Sequence, residues 1–279
     1  MHPSERTRSL EFDQAAAFDQ ALEGFHDLPF TPGFEALLAH RGISEEADTT
    51  PDYWRAAADY ALSKAAHRYE QGDDPGAIAI DTLPLLTPNL LHTHVQVHKA
   101  RERGEQLGQN NRNYLSSYNS LLRQAAVHVP GLHASSLLGL VMNAANATRD
   151  PLVLATATAE LHTYIRGAQH EAAFGDLLDE TGLEYREATP KEDRGGVDYV
   201  ANTPVGVQFL DVKASSRRVG DNHHIARRRA DGSLEIYSMV TDKELKDGFA
   251  LPDDFPGKAD RVQYLTEILS SNWHEAVAG

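Results

Sequence analysis

Two neighbouring stretches decide the fold: Gly195-Gly196-Val197-Asp198-Tyr199-Val200, and then Gly206-Val207-Gln208-Phe209-Leu210-Asp211-Val212-Lys213. Both read as strands, and Asn202-Thr203-Pro204 between them is turn chemistry. Strand side chains alternate faces, so Asp211 and Lys213 point the same way and share that face with Val207 and Phe209. Gln208, Leu210, Val212 and Ala214 take the other face. Two carboxylates and an ammonium are therefore expected to converge at one edge of a small sheet.

Upstream, residues 151–181 read as one long helix beginning after Asp150-Pro151. Tyr164, Ala168, Glu171, Gly175 and Leu178 recur at steps of three and four and define a stripe. Glu171 is the one charge on that stripe, and a carboxylate turned toward a core needs a partner or a metal. Thr181-Gly182 stops the helix. Leu183 to Thr189 is expected to be the first strand, and a polar loop over 191–196 leads to Asp198. Beyond Ala214, His223 to Arg229 and Ser233 to Val240 read as two strands joined at Asp231-Gly232, a strong hairpin signal. A short helix over Ser215 to Asn222 is the alternative for part of that stretch. Pro256 to Ala276 reads as a closing helix with Val262, Leu265, Ile268, Leu269 and Trp273 inward.

This order, a helix, strands and then Asp…Asp-x-Lys, resembles the PD-(D/E)xK nuclease superfamily over roughly residues 155–240. The matching residues are Asp198, then Asp211-Val212-Lys213, with Glu171 on the preceding helix. Val197 stands where the family's proline would be. Arg166-Gly167-Ala168-Gln169-His170-Glu171, followed by Leu177-Leu178, is similar to the first motif of Mrr-like and resolvase-like nucleases. The resemblance implies an α+β or α/β fold, in which a helical N-terminal region (1–150) precedes a restriction-endonuclease-like core (151–279) of helix, mixed central sheet and flanking helices. It also implies Mg²⁺ held by Asp198, Asp211, Glu171 and the carbonyl of Val212, with Lys213 orienting the attacking water. Mg²⁺ prefers oxygen ligands and retains waters, which suits that set. A second Glu-x-Lys, Glu244-Leu245-Lys246, lies 13 residues after Asp231, the same offset as Asp198 to Asp211. Its polar flanks lack strand alternation, so it reads as a solvated turn or helix end.

Net charge is −15, spread as −7 over residues 1–150 and −8 over 151–279, which excludes a protein that coats DNA by bulk electrostatics. One segment reverses the sign. Lys213, Arg217, Arg218, Arg227, Arg228 and Arg229 face a single acid, Asp221, and these arginines are the candidate phosphate contacts. There is no cysteine, hence no disulfide framework or thiolate zinc site. No apolar run approaches the ~20 residues of a membrane span, and no Gly-x-x-x-x-Gly-Lys-Ser/Thr indicates a nucleotide cofactor. His92, His94, His98, His128 and His133 lack ligand-like spacing and read as ordinary histidines.

In the N-terminal region, helices are expected over residues 9–25 and 34–40, from Tyr53 to Tyr69, over 114–128 and from Ser135 to Ala147. A break is expected at Gln71 to Gly76 and another at Thr87-Pro88, with no fixed-period repeat. The leading functional expectation is a cytoplasmic, Mg²⁺-dependent endonuclease of restriction or defence type, cutting double-stranded DNA as a homodimer. A Holliday-junction or repair nuclease is the alternative within that class. A non-catalytic helical DNA- or protein-interaction protein is the alternative outside it.

Overall fold

The computed structural model describes residues 50–104, 110–189, 192–193, 195–214, 226–252 and 255–271. The helices expected over 9–25 and 34–40, together with Arg217, Arg218 and Trp273, lie outside them. The chain divides into two compact units within Gln14–Ile165 and Arg166–Gly279. The division falls inside a helix rather than at Asp150-Pro151.

The first unit is helical: α1 (Pro51–Glu70), α2 (Pro75–Glu102), α3 (Asn110–His128), α4 (Ala134–Asn146) and the first turns of α5 (Pro151–Thr181). Thr50 caps α1 by accepting the Tyr53 N–H at 3.3 Å, with Pro51 in the first turn where its missing donor costs nothing. The inner face of α1 is mostly alanine (Ala56, Ala57, Ala58, Ala61, Ala65), which lets neighbouring backbones approach closely. The break expected at Thr87-Pro88 is absent, because α2 runs through both Pro84 and Pro88. Burial offsets the ~3 kcal/mol that an interior proline costs: Leu83, Leu86, Leu90 and Leu91 are buried around the prolines. The break at 71–76 shortens to four residues, with Asp74 accepting the Ala77 N–H at 2.7 Å.

The second unit is α+β. A five-stranded mixed sheet comprises β1 (Glu184–Glu187), β2 (Tyr199–Thr203), β3 (Gly206–Lys213), β4 (Ala226–Arg228) and β5 (Leu234–Tyr237), in the order β1-β2-β3-β5-β4. Only the β3–β5 pair is parallel. The expected hairpin at Asp231-Gly232 joins β4 to β5: Gly232 has φ +88°, and Asp231 Oδ1 accepts the Ser233 N–H at 2.9 Å. Both outer strands are brief and carry charges. The Leu210/Val212 face of the sheet forms the core. Tyr199, Ala201, Leu210, Val212, Leu234 and Ile236 pack with Ala173, Phe174, Leu177 and Leu178 of α5. Leu265, Ile268 and Leu269 of α7 (Lys258–Ser270) complete it, as the apolar spacing of that segment predicts. The second Glu-x-Lys falls at α6 (Asp242–Leu245), a short helix whose Glu244 closes a capping box with Thr241 and binds Arg261 at 2.7 Å.

Candidate functional site

Register places the charged residues. In the β2–β3 pair Tyr199 stands opposite Leu210, and the Asp198 N–H donates to the Leu210 carbonyl at 2.7 Å. Asp198 immediately precedes β2, and its amide bonds to Leu210 rather than to Asp211. Asp211 pairs with Glu235 on β5, and Glu235 pairs with Arg227 on β4. A single row, Asp211–Glu235–Arg227, thus crosses three strands on the face away from α5. Lys213 stands one pleat beyond Asp211 on the same face, as alternation predicts.

The carboxylates of Asp198, Asp211 and Glu235 are buried, and each is held by its own set of contacts. Asp198 Oδ2 accepts the Val212 N–H at 2.6 Å. Asp211 receives the Lys213 ammonium on one oxygen and the Arg229 guanidinium on the other. Arg229 also reaches Glu235 Oε2 through Nη2 at 2.9 Å and Nε at 3.2 Å, while Arg227 Nε sits 2.8 Å from Glu235 Oε1. Burial alone would push the Glu235 carboxyl up, but hydrogen bonds from Arg227 and Arg229, with a further one from Tyr237, hold it at about 2. Room for Arg229 comes from Gly196. That glycine has φ +81°, and a Cβ there would stand 3.2 Å from Arg229 Nη1.

Of the expected site residues, Asp211 and Lys213 are in contact, and Asp198 accepts the Val212 N–H between them. Glu171 stands on α5, which covers the opposite face, and its carbonyl accepts the Tyr199 hydroxyl at 2.8 Å. Ala173, Phe174, Leu177 and Leu178 set the buried side of the helix here, and Leu178 belongs to the expected stripe. Gly175 leaves space for the Tyr199 ring, whose hydroxyl would be 3.0 Å from a Cβ. Among the described residues no group of three or more His, Asp or Glu side chains is gathered to hold a metal ion. The donor chemistry still fits Mg²⁺, which binds through one or two carboxylates plus substrate phosphate and water. The carboxylate pair Asp198/Asp211 offers that, with the Asp211 oxygens now satisfied by protein cations. The side chain of Val212 is on the helix-covered face, and its amide serves Asp198.

Of the arginines expected at DNA, the three described ones, Arg227, Arg228 and Arg229, are engaged within the sheet. Arg227 and Arg229 bind the row, and Arg228 donates to Gln208 Oε1 at 2.9 Å and to the Gly232 carbonyl at 2.8 Å. Glu235 was not singled out from the sequence. Its alternation with Leu234 and Ile236 marks its face, but pairing with Asp211 across a parallel crossover has no local signal.

A second polar cluster lies at the C-terminal end of β5. His170 Nδ1 is 2.9 Å from Ser238 Oγ, and His170 Nε2 is 2.8 Å from Asp242 Oδ1, which also accepts from Arg166 at 2.8 Å. The order of groups matches a nucleophilic triad, but both Ser238 and His170 are buried. A nucleophile must meet substrate, so this cluster ties α5 to the segment after β5.

Compared with known proteins, the chain matches no family, no characterised protein and no solved structure.

Proposed function

We propose that the chain is a Mg²⁺-dependent endonuclease hydrolysing DNA phosphodiester bonds, on a core of PD-(D/E)xK type. The observation that carries the reading is the contact of Asp211 with Lys213 on one face of β3, with the Asp198 carboxylate accepting the Val212 N–H between them. The chain order α5, β1, β2, β3 agrees with it. Asp198 and Asp211 would hold the ion, which when bound lowers the pKa of its water and offsets phosphate charge. Lys213, half-exposed above Asp211, is placed to bind a non-bridging phosphate oxygen and orient the water. Arg229, released from Asp211 as a cation replaces it, is within reach of the same phosphate. Restriction-type cutting of both strands would require two copies acting together.

The test is plasmid cleavage with Mg²⁺, comparing wild type with Asp211→Ala and Lys213→Ala. Wild type should cut, and each variant should lose at least about a hundredfold in rate. Discrete fragments point to a restriction enzyme, and cutting of branched substrates alone to a resolvase or repair role. Cleavage that persists in both variants refutes the assignment.

One observation favours a second reading. The row is charge-compensated, with Asp211 and Glu235 against Lys213, Arg227 and Arg229. A network of this kind can serve only to fix a sheet in a non-catalytic interaction protein. An inert wild type, folded and still binding DNA or a protein partner, would establish that reading.

A further inference from the structure

The face that carries the charged row also exposes large apolar side chains. Val207 is 59% exposed, Phe209 40% and Tyr237 36%. Phe209 lies one pleat before Asp211 on β3, and Tyr237 is the register partner of Lys213 on β5. The two aromatics therefore bracket the row from opposite sides. With ~3.3 Å per residue along a strand and ~4.8 Å between strands, their Cα atoms are about 14 Å apart, a span that a few extended nucleotides cover.

The charges between them are layered. The side chains of Lys213 and Arg227 are 44% and 58% exposed, whereas those of Asp211 and Glu235 beneath them are 1% and 3% exposed. A molecule approaching this face meets rings and cations, with the carboxylates shielded below. Two rings with exposed cations between and beside them match a strand of bases joined by phosphates, since every base has a face to stack and every link a negative charge. A duplex buries its base faces and cannot use the rings in this way.

We propose that this sheet face binds single-stranded DNA, with Phe209 and Tyr237 stacking on bases to either side of a phosphate lying over Lys213 and Arg227. The proposal deepens, and rests on, the reading of the row as a phosphodiester site. The protein's substrate would then be a single-stranded or frayed segment, presented with the scissile phosphate above Asp211. Because the cations are matched by carboxylates, stacking supplies most of the affinity, and binding should weaken only shallowly with salt.

The experiment is fluorescence anisotropy of a labelled oligothymidine, and of a duplex of the same length, with the full chain in EDTA so that no cleavage occurs. Wild type should prefer the single strand. Phe209→Ala and Tyr237→Ala should each weaken it about tenfold, while Tyr237→Phe, which keeps the ring, should bind as wild type does. Both positions are exposed, and thermal melts will verify that the variants fold. Unchanged binding in both alanine variants, or preference for the duplex, overturns the proposal. Cleavage with Mg²⁺ is scored separately. A chain that binds through the rings without cutting defeats the nuclease reading alone, and one that cuts duplex without needing the rings defeats this one alone.

Discussion

Replacing Arg229 by methionine removes the guanidinium that bridges Asp211 and Glu235 but keeps most of the side chain's apolar volume. The loss is bounded on both sides. Breaking a fully buried ion pair costs about 3–5 kcal/mol, and an exposed one about 0–1 kcal/mol. Arg229 lies between, with 28% of its side chain exposed against two carboxylates at 1% and 3%. Lys213 and Arg227 remain to serve the same carboxylates, so a cost of about 2 kcal/mol is expected, comparable to one hydrogen bond to a charged group. For a unit of this size that corresponds to a fall in Tm of roughly 8 °C. A pH signature should accompany it. The Glu235 carboxyl is held at about 2 in the folded chain, below its ordinary 4.5. Its contribution is therefore complete above about pH 4.5 and is lost as the pH falls toward 2. Without Arg229 the folded value rises, so the acid side of the stability curve should move to higher pH. Urea titrations from pH 3 to 7 measure both effects, and Arg229→Lys, which keeps charge without the planar fork, should fall between. Equal stability of wild type and Arg229→Met, with superimposable acid limbs, would refute the bridging role.

Gly196→Ala imposes a side chain at φ +81° and 3.2 Å from Arg229 Nη1. It should cost about 1–2 kcal/mol, and less when combined with Arg229→Met, since the two share one contact; a double-mutant cycle by urea unfolding checks this. His170 is held below its ordinary value by burial, against a partial upward pull from the Asp242 hydrogen bond. The unfolded chain therefore takes up the proton first, and stability should decline as pH drops through about 6.5. His170→Gln should be less stable at pH 8 and should show a shallower decline between pH 7 and 5, measured as the pH slope of the unfolding free energy.

Much of the second unit is legible in the sequence because its signals are local. The period-two pattern of residues 206–213 fixes both the strand and the shared face of Asp211 and Lys213, and Asp231-Gly232 marks its hairpin without reference to the rest of the chain. What the sequence hides depends on distant partners. The neighbour of Asp211 is Glu235, reached through a crossover, and only the assembled sheet places the two side by side. The buried side of α5 is broader than one stripe: Leu178 belongs to the expected stripe, while Ala173, Phe174 and Leu177 beside it are buried only because the sheet lies against them. In the first unit, Pro84 and Pro88 are strong local punctuation, overridden by leucines that gain burial only when the neighbouring helices are in place. The cationic run after Lys213 has the composition of a surface for phosphates, but only the assembled sheet sets Arg227 and Arg229 against its own acids and Arg228 against Gln208.

The outermost strands, Glu184–Glu187 and Ala226–Arg228, offer incoming chains only three or four rungs of backbone each. Both bristle with ionic groups, the usual protection against stacking of one sheet onto the next. Assembly by ribbon extension, and with it the first step toward fibrils, is thereby discouraged at either flank. If two copies pair, as restriction-type cutting would require, the contact is expected through helices or loops rather than strand edges.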